Sequence, residues 1–188
     1  MLKDIIRRSR SYRRFKKTKI KKQFLKELVK LARFSPSSAN LQPLKFMLSC
    51  DPGKNDLIFP ALNWAGYLKK WKGPAESERP AGYIIILGDT RISKKFACDH
   101  GIAAQSILLG AAEKGFGGCM AGAIDRKLLR KNLNISARYE ILLVVALGKP
   151  AEKVILEDVK KSGSIKYYRD KKDSHHVPKR KLEELIIE

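Results

Sequence analysis

Residues 7–15 read RRSRSYRRF, five arginines with two serines and two aromatics. A guanidinium is a planar fork that holds phosphate oxygens in pairs, and a serine adds a hydroxyl donor. In extended backbone, Ser11 and Arg13 alternate onto one side. The stretch supports three readings: a phosphate clamp for a small ligand, an arm for nucleic acid, or the solvated start of a helix.

Two further stretches could meet a ligand. SPSSANLQP, 35–43, crowds Ser37, Ser38, Asn40 and Gln42 into six residues. That density suits the edge of a heteroaromatic ring, and equally a capped turn. GFGGCMAG, 115–122, reads as a glycine-rich loop in which Gly117 and Gly118 let backbone N–H groups approach a flat ligand. It is no dinucleotide fingerprint, because it follows a helix and lacks the GxGxxG spacing. His100, His175 and His176 have no metal-ligand spacing to another donor, so no metal site is expected. There is no GxSxG, and Cys119 has no evident base partner, so its expected role is packing. With no catalytic set of side chains in view, the chemistry falls to a bound cofactor that the protein places.

The elements that must position these residues are legible in part. KKQFLKELVKLARF, 21–34, has helical apolar spacing with lysines outside. Ser35 and Pro36 suit the start of a short turn, which Pro43 stops. Strands are expected at 45–50, 83–89 and 141–148, the last continuous and β-branched as a central strand would be. Between them, 57–75 is an aromatic-rich connection carrying Trp64, Tyr67 and Trp71, which shape a pocket or pack in the core. Residues 97–114 form a helix apolar on nearly every side, ended by Gly115 at C′. Asp125 caps a basic helix, DRKLLRKNL. Beyond Pro150 the chain is charged, with the apolar island VILEDV and a short terminal helix after Pro178. So polar a tail has no core of its own and must lie on the body or on a second copy.

The 188 residues fit one domain, 1–188, with 151–188 as an extended tail. Lys and Arg number 40 against 19 Asp and Glu, a net charge of +21. The lysines are spread along the chain, as on a solvated surface, and no RNP, KH, zinc-finger or bZIP pattern is present. Three cysteines without CxxC argue against a disulfide framework and for a reducing cytoplasm. No signal peptide is read in the basic opening, and no apolar run is long enough to span a membrane.

Taken in order, RSYRRF, SPSSANLQP, WAGYLKKWKGP, ERPAGYIIILGD, DHGIAAQSILLGAAEKGFGGCMAG, ALGKP and HHVPKRKLEEL resemble the nitroreductase family of flavin enzymes over nearly the whole chain. The resemblance implies an α+β fold with a central, mostly antiparallel sheet flanked by helices. It implies a homodimer with FMN at the subunit interface and a C-terminal tail exchanged with the partner. Arg10, Ser11 and Arg13 match the stretch that grips the FMN phosphate, although Ser9 stands where the family has its first basic residue. Lys179 and Arg180 match basic residues that reach the phosphate or ribityl chain. Pro36, Ser37, Ser38 and Asn40 match residues that approach the flavin from the other subunit, while Gln42 is structural. Leu44 replaces a tryptophan common in the family. Gly117 and Gly118 match the loop along the isoalloxazine. The implied activity is hydride transfer from NADH or NADPH through flavin N5 to a small electron-poor acceptor such as a nitroaromatic or quinone, in ping-pong order. The alternatives are another redox role on the same flavin fold and a basic nucleic-acid-binding protein.

Overall fold

The computed structural model describes residues 1–160 and 163–187. Lys161 and Ser162, in the charged stretch 151–181, and Glu188, the last residue of the expected terminal helix, lie outside the described residues.

The architecture is α+β, built on an antiparallel five-stranded sheet. Strand β5 (Tyr139–Pro150) is its spine. One edge of β5 pairs with β3 (Gly82–Asp89), which pairs in turn with β2 (Leu44–Ser49). β5 also pairs with β4 (Gly117–Ala121) through residues 144–148 and with the two-residue β1 (Phe15–Lys16) through Lys149 and Pro150. The twelve residues of β5 let it serve all three partners.

All eight residues of β3 are buried, because both faces of the sheet are covered. Alternation sends Ile84 and Ile86 to one core, with Leu25, Leu28 and Ile107. It sends Tyr83, Ile85 and Leu87 to the other, with Ile58, Leu129 and Ile141. A bulge shifts the register between Ile86 and Leu87, where the partner passes from Leu143 to Ile141. The extra residue, Leu142, puts Ile141 on the same face as Val144.

The first core is roofed by α2 (Lys22–Arg33) and α4 (Asp99–Glu113). They approach closely at Gly110, where a Cβ would stand 2.2 Å from Leu31 Cδ1. α4 is buried round most of its circumference and leaves Gln105 and Glu113 open. Gly115 ends it at φ +72°, with Phe116 N–H bonding back to Ala111 O at 2.9 Å. The second core is covered by α3 (Pro52–Ile58) and α5 (Arg126–Leu133). As expected, Asp125 caps α5, its Oδ1 accepting from Leu128 N at 2.9 Å. A short α1 (Leu2–Arg8) opens the chain.

Two expectations are corrected. The stretch read as a glycine-rich loop is strand β4 from Gly117 onward, because β5 supplies its hydrogen bonds and Leu108 and Leu147 pack against the bare glycine face. The terminal helix after Pro178 is not formed. His175–Lys179 is strand β8, followed by a single 3₁₀ turn at Leu182–Glu184. β8 lies between a parallel β6 (Val154–Asp158) and an antiparallel β7 (Tyr168–Arg169), so the tail has a small sheet of its own. No helix among the described residues is long and apolar enough to cross a membrane.

Candidate functional site

After α1 the chain runs along the start of β4. Ser11 forms a parallel bridge with Gly118, and Tyr12 N–H donates to Gly118 O at 3.0 Å. The Tyr12 ring occupies the space where a Cβ on Gly117 would sit, 2.5 Å from its Cδ2. A Cβ on Gly118 would stand 2.2 Å from Ala146 O. Both glycines are therefore required by packing within the chain, and they bring Ser11 onto the sheet.

The arginines of this segment divide into two kinds. Arg14 is consumed: its Nε and Nη2 bond Glu78 at 2.8 and 2.6 Å, and Nη1 bonds Asp173. These carboxylates raise its pKa. Arg169, in β7, is likewise held by Glu152 at 2.5 Å and by Asp173 at 3.1 Å. Glu152 also accepts the backbone N–H groups of Arg13 and Arg14, with its side chain 1% exposed.

Arg10 and Arg13 have no carboxylate partner among the described residues. Arg10 donates from Nη2 to Ile6 O at 2.6 Å, while its Nε is buried without a partner. Burial lowers its pKa, partly offset by Tyr12. The Arg13 guanidinium lies over the Tyr167 ring, 5.2 Å from its centroid. Its Nη1 contacts Ser11 O at 3.3 Å and His175 Nε2 at 3.4 Å. No described hydrogen bond uses its Nε or Nη2, so that edge of the fork is open. An open fork, with an orphaned buried N–H three residues away in the same segment, fits an anion such as a phosphate monoester.

Lys179 ends β8, in register with Asp158. It lies four residues beyond His175 and on the same strand face, roughly 13 Å along at strand rise. Arg180 is half-exposed and meets Glu184 at 3.4 Å. The structure thus puts Lys179 at the end of the strand that reaches Arg13 and Arg180 just past it, with no described hydrogen bond from either to Arg13.

The second expected cluster lies at the start of α4. Ser35 Oγ and Ser106 Oγ are 2.7 Å apart, and Ser38 N–H donates to the buried Asp99 Oδ1 at 3.0 Å. Ser37 Oγ accepts from Gln42 N–H at 2.9 Å, and Gln42 Nε2 donates to Asn40 Oδ1 at 3.2 Å. Ser37 and Gln42 therefore hold the turn itself. Ala39, Asn40 and Gln42 take φ of 48°, 54° and 50°, left-handed backbone that non-glycine residues rarely adopt. No described hydrogen bond joins Pro36, Ser37, Ser38 or Asn40 to Ser11, Arg13 or Gly118. Two open grooves, about 620 and 360 Å³, run elsewhere, beside Phe46 and Tyr139 and beside Phe24 and Phe116.

The aromatic connection divides its residues. Trp64 packs on the second core and stacks on Phe59 at 5.6 Å. Tyr67 is about half exposed and lies 4.9 Å from the Tyr167 ring, and Trp71 receives the Arg169 guanidinium at 5.2 Å. Cys119 is buried in the core, and burial pushes its thiol up to about 12, so it packs rather than reacts. Tyr167, His175 and Glu152 were not legible as site residues, since nothing in their local sequence points to Arg13.

A sequence model of the nitroreductase family matches residues 6–149. A relative in Bacillus subtilis (strain 168), named "Putative NAD(P)H nitroreductase YodC", is 28% identical over 160 residues, 69% of this chain and 79% of that protein. The iodotyrosine deiodinase of Thermotoga neapolitana is 25% identical over 167 residues, 80% of this chain and 89% of that protein. The solved structure of an FMN-dependent nitroreductase from Clostridium difficile R20291 superposes with a TM-score of 0.63 at 23% identity, covering 79% of this chain and 87% of that one. At that identity the likeness carries the fold, and it agrees with the antiparallel sheet and flanking helices described above. The open cationic segment thus sits on a sheet shared with a known group of oxidoreductases, and this chain belongs to the nitroreductase family.

Proposed function

We propose that the chain is an FMN-dependent NAD(P)H oxidoreductase that holds the FMN phosphate at Arg10, Ser11 and Arg13. The observation that carries this is the Arg13 fork, whose Nε and Nη2 have no described partner, in a segment that also holds the orphaned Arg10 Nε and where Arg14 is already neutralised. Arg10, Ser11 and Arg13 would hold FMN by its phosphate, and the flavin would supply ping-pong hydride transfer, through N5, between NADH or NADPH and an electron-poor acceptor such as a nitroaromatic or quinone.

The chain's own part is binding and placement. Gly117 and Gly118 hold Ser11 on the sheet, and Lys179 and Arg180 offer further cations at and just beyond the end of β8. Pro36, Ser37, Ser38 and Asn40 would meet the flavin from a second copy. Among the described residues no hydrogen bond joins them to Ser11 or Arg13, which agrees with a site shared between two copies. Leu182, Leu185, Ile186 and Ile187 are exposed, which supports a partner subunit as the cover for the chain's end.

The test is reconstitution with FMN, desalting and a visible spectrum, followed by binding of FMN and of riboflavin, which lacks the phosphate. Arg13→Ala is expected to weaken FMN by roughly tenfold or more, from the loss of charge-assisted bonds, and to leave riboflavin unchanged. Arg14→Ala, which lacks an open fork to lose, should keep the FMN-to-riboflavin ratio. Unchanged FMN affinity in Arg13→Ala sinks the phosphate assignment. A colourless, folded protein would turn the test to salt-dependent nucleic-acid binding. The likeness to the deiodinase favours a second reading, reductive dehalogenation on the same flavin. Turnover of iodotyrosine against a nitroaromatic separates the two.

A further inference from the structure

We propose that His175 is a positioning residue: its Nε2 accepts from the Arg13 guanidinium and, with the Tyr167 ring against one face, aims the open edge of that guanidinium at a phosphate monoester. This rests on the phosphate reading of the Arg10–Arg13 segment and adds the device that orients it.

Four observations converge. Arg13 Nη1 is the one guanidinium nitrogen with described partners, His175 Nε2 at 3.4 Å and Ser11 O at 3.3 Å. Both meet the same nitrogen, so Nε and Nη2 are left without a described partner as a pair, the edge that can grip two phosphate oxygens. Tyr167 backs the fork at 5.2 Å and touches the His175 ring at 5.2 Å. Tyr167 is fixed in turn by Tyr67, whose N–H donates to its hydroxyl at 3.3 Å.

The protonation state follows from donor chemistry. Arginine only donates, so His175 Nε2 must carry the lone pair, and the ring must be neutral with its proton on Nδ1. His175 is 1% exposed, and burial is the main cause holding its pKa down at about 4, so it is neutral at ordinary pH. Its Nδ1 is buried without a partner. An unpartnered buried N–H costs stability, and a phenyl ring would fill the space without that cost. The acceptor at Nε2 is what the imidazole adds.

Tyr167 and His175 both lie beyond residue 149, where the family match ends. The tail sheet therefore acts as the backing plate of the clamp. Its strand β8 carries His175 to Arg13, and β6 and β7 hold β8 in place.

The experiment measures binding of FMN and riboflavin to the full chain freed of flavin, by flavin fluorescence, for wild type, His175→Phe, His175→Gln and Tyr167→Leu. His175→Phe is expected to lose about tenfold in FMN affinity, the scale of one hydrogen bond to a charged group, and to leave riboflavin within about twofold. His175→Gln, which keeps an acceptor, should recover most of the loss. Tyr167 is only partly buried, so Tyr167→Leu tests the same clamp should the His175 variants fold poorly, and a phosphate-specific loss is expected again. Equal losses for FMN and riboflavin, or none, overturn the proposal. Arg13→Ala separates the layers. If it collapses the FMN-to-riboflavin ratio while His175→Phe and Tyr167→Leu do not, only the positioning role fails. If Arg13→Ala leaves the ratio intact, the phosphate reading itself fails.

Discussion

His175 and His176 are neighbours on β8, and strand alternation turns their rings to opposite faces. His175 faces Arg13 and Tyr167 in a buried position. His176 sits between Glu157 Oε2 at 2.9 Å and Asp170 Oδ2 at 3.1 Å, stacked on Tyr168 at 4.8 Å. The two imidazoles shift in opposite directions from an ordinary value of 6.5: burial takes His175 to about 4, and the hydrogen-bonded carboxylates raise His176.

Their pH signatures are therefore opposite. Between about 4 and 6.5 the unfolded chain protonates His175 and the folded chain does not, so its contribution to stability falls as pH drops through that window. His176 contributes fully below 6.5, and its contribution is lost as pH rises through its raised folded value. Thermal melts from pH 4 to 9 should show that His176→Gln removes the loss on the alkaline side. They should show that His175→Gln flattens the acid side. Identical profiles for both variants would contradict the opposed environments.

Two glycine substitutions should differ sharply. Gly118→Ala drives a methyl to 2.2 Å from Ala146 O, a backbone atom in the central strand pair that cannot step aside. A loss of about 1–3 kcal/mol or more is expected in denaturant melts, with β4 and Ser11 displaced. Gly110→Ala meets Leu31 Cδ1 at a similar 2.2 Å, but that leucine is 38% exposed and can rotate outward. The buried Leu28 Cδ2, 3.2 Å away, must also give, and alanine's helix preference of up to about 1 kcal/mol offsets this in part, so the loss should be smaller than for Gly118→Ala.

The three free cysteines should label in order of access. Cys98 is exposed, Cys50 is partly covered and Cys119 is buried with its thiol near 12. In native protein at pH 8, a disulfide reagent is expected to modify Cys98 first and to spare Cys119 until denaturant is added. Rapid modification of Cys119 in the folded state would show that the sheet opens at β4.

Local patterning carried much of the fold. Helix α2 follows from apolar residues at helical spacing, and β3 and β5 follow from continuous β-branched runs. Asp125 and Gly115 mark the end of one helix and the start of another because capping chemistry is local. β4 was not legible, because Gly117 and Gly118 have loop composition and become strand only through the ladder on β5. β7 and β8 were hidden for a similar reason. They are short and polar, and the parallel pairing of β6 with β8 joins residues about twenty apart.

The cationic segment was visible in RRSRSYRRF, since five guanidinium groups in nine residues must find anions or water. Which of them are left open could not be read there. Arg13 and Arg14 are adjacent and chemically identical, and only the tertiary structure brings Glu78 and Asp173 to one and His175 and Tyr167 to the other. Sequence by itself determined the helices, the central strands and the presence of an arginine-rich segment, because propensity and composition act over a few residues. The fold decided the register, the tail sheet and the pairing of each arginine. The arginine pairings depend on contacts made across 64 to 162 positions of chain, and the register and tail sheet on ladders between separate strands, which no local pattern encodes.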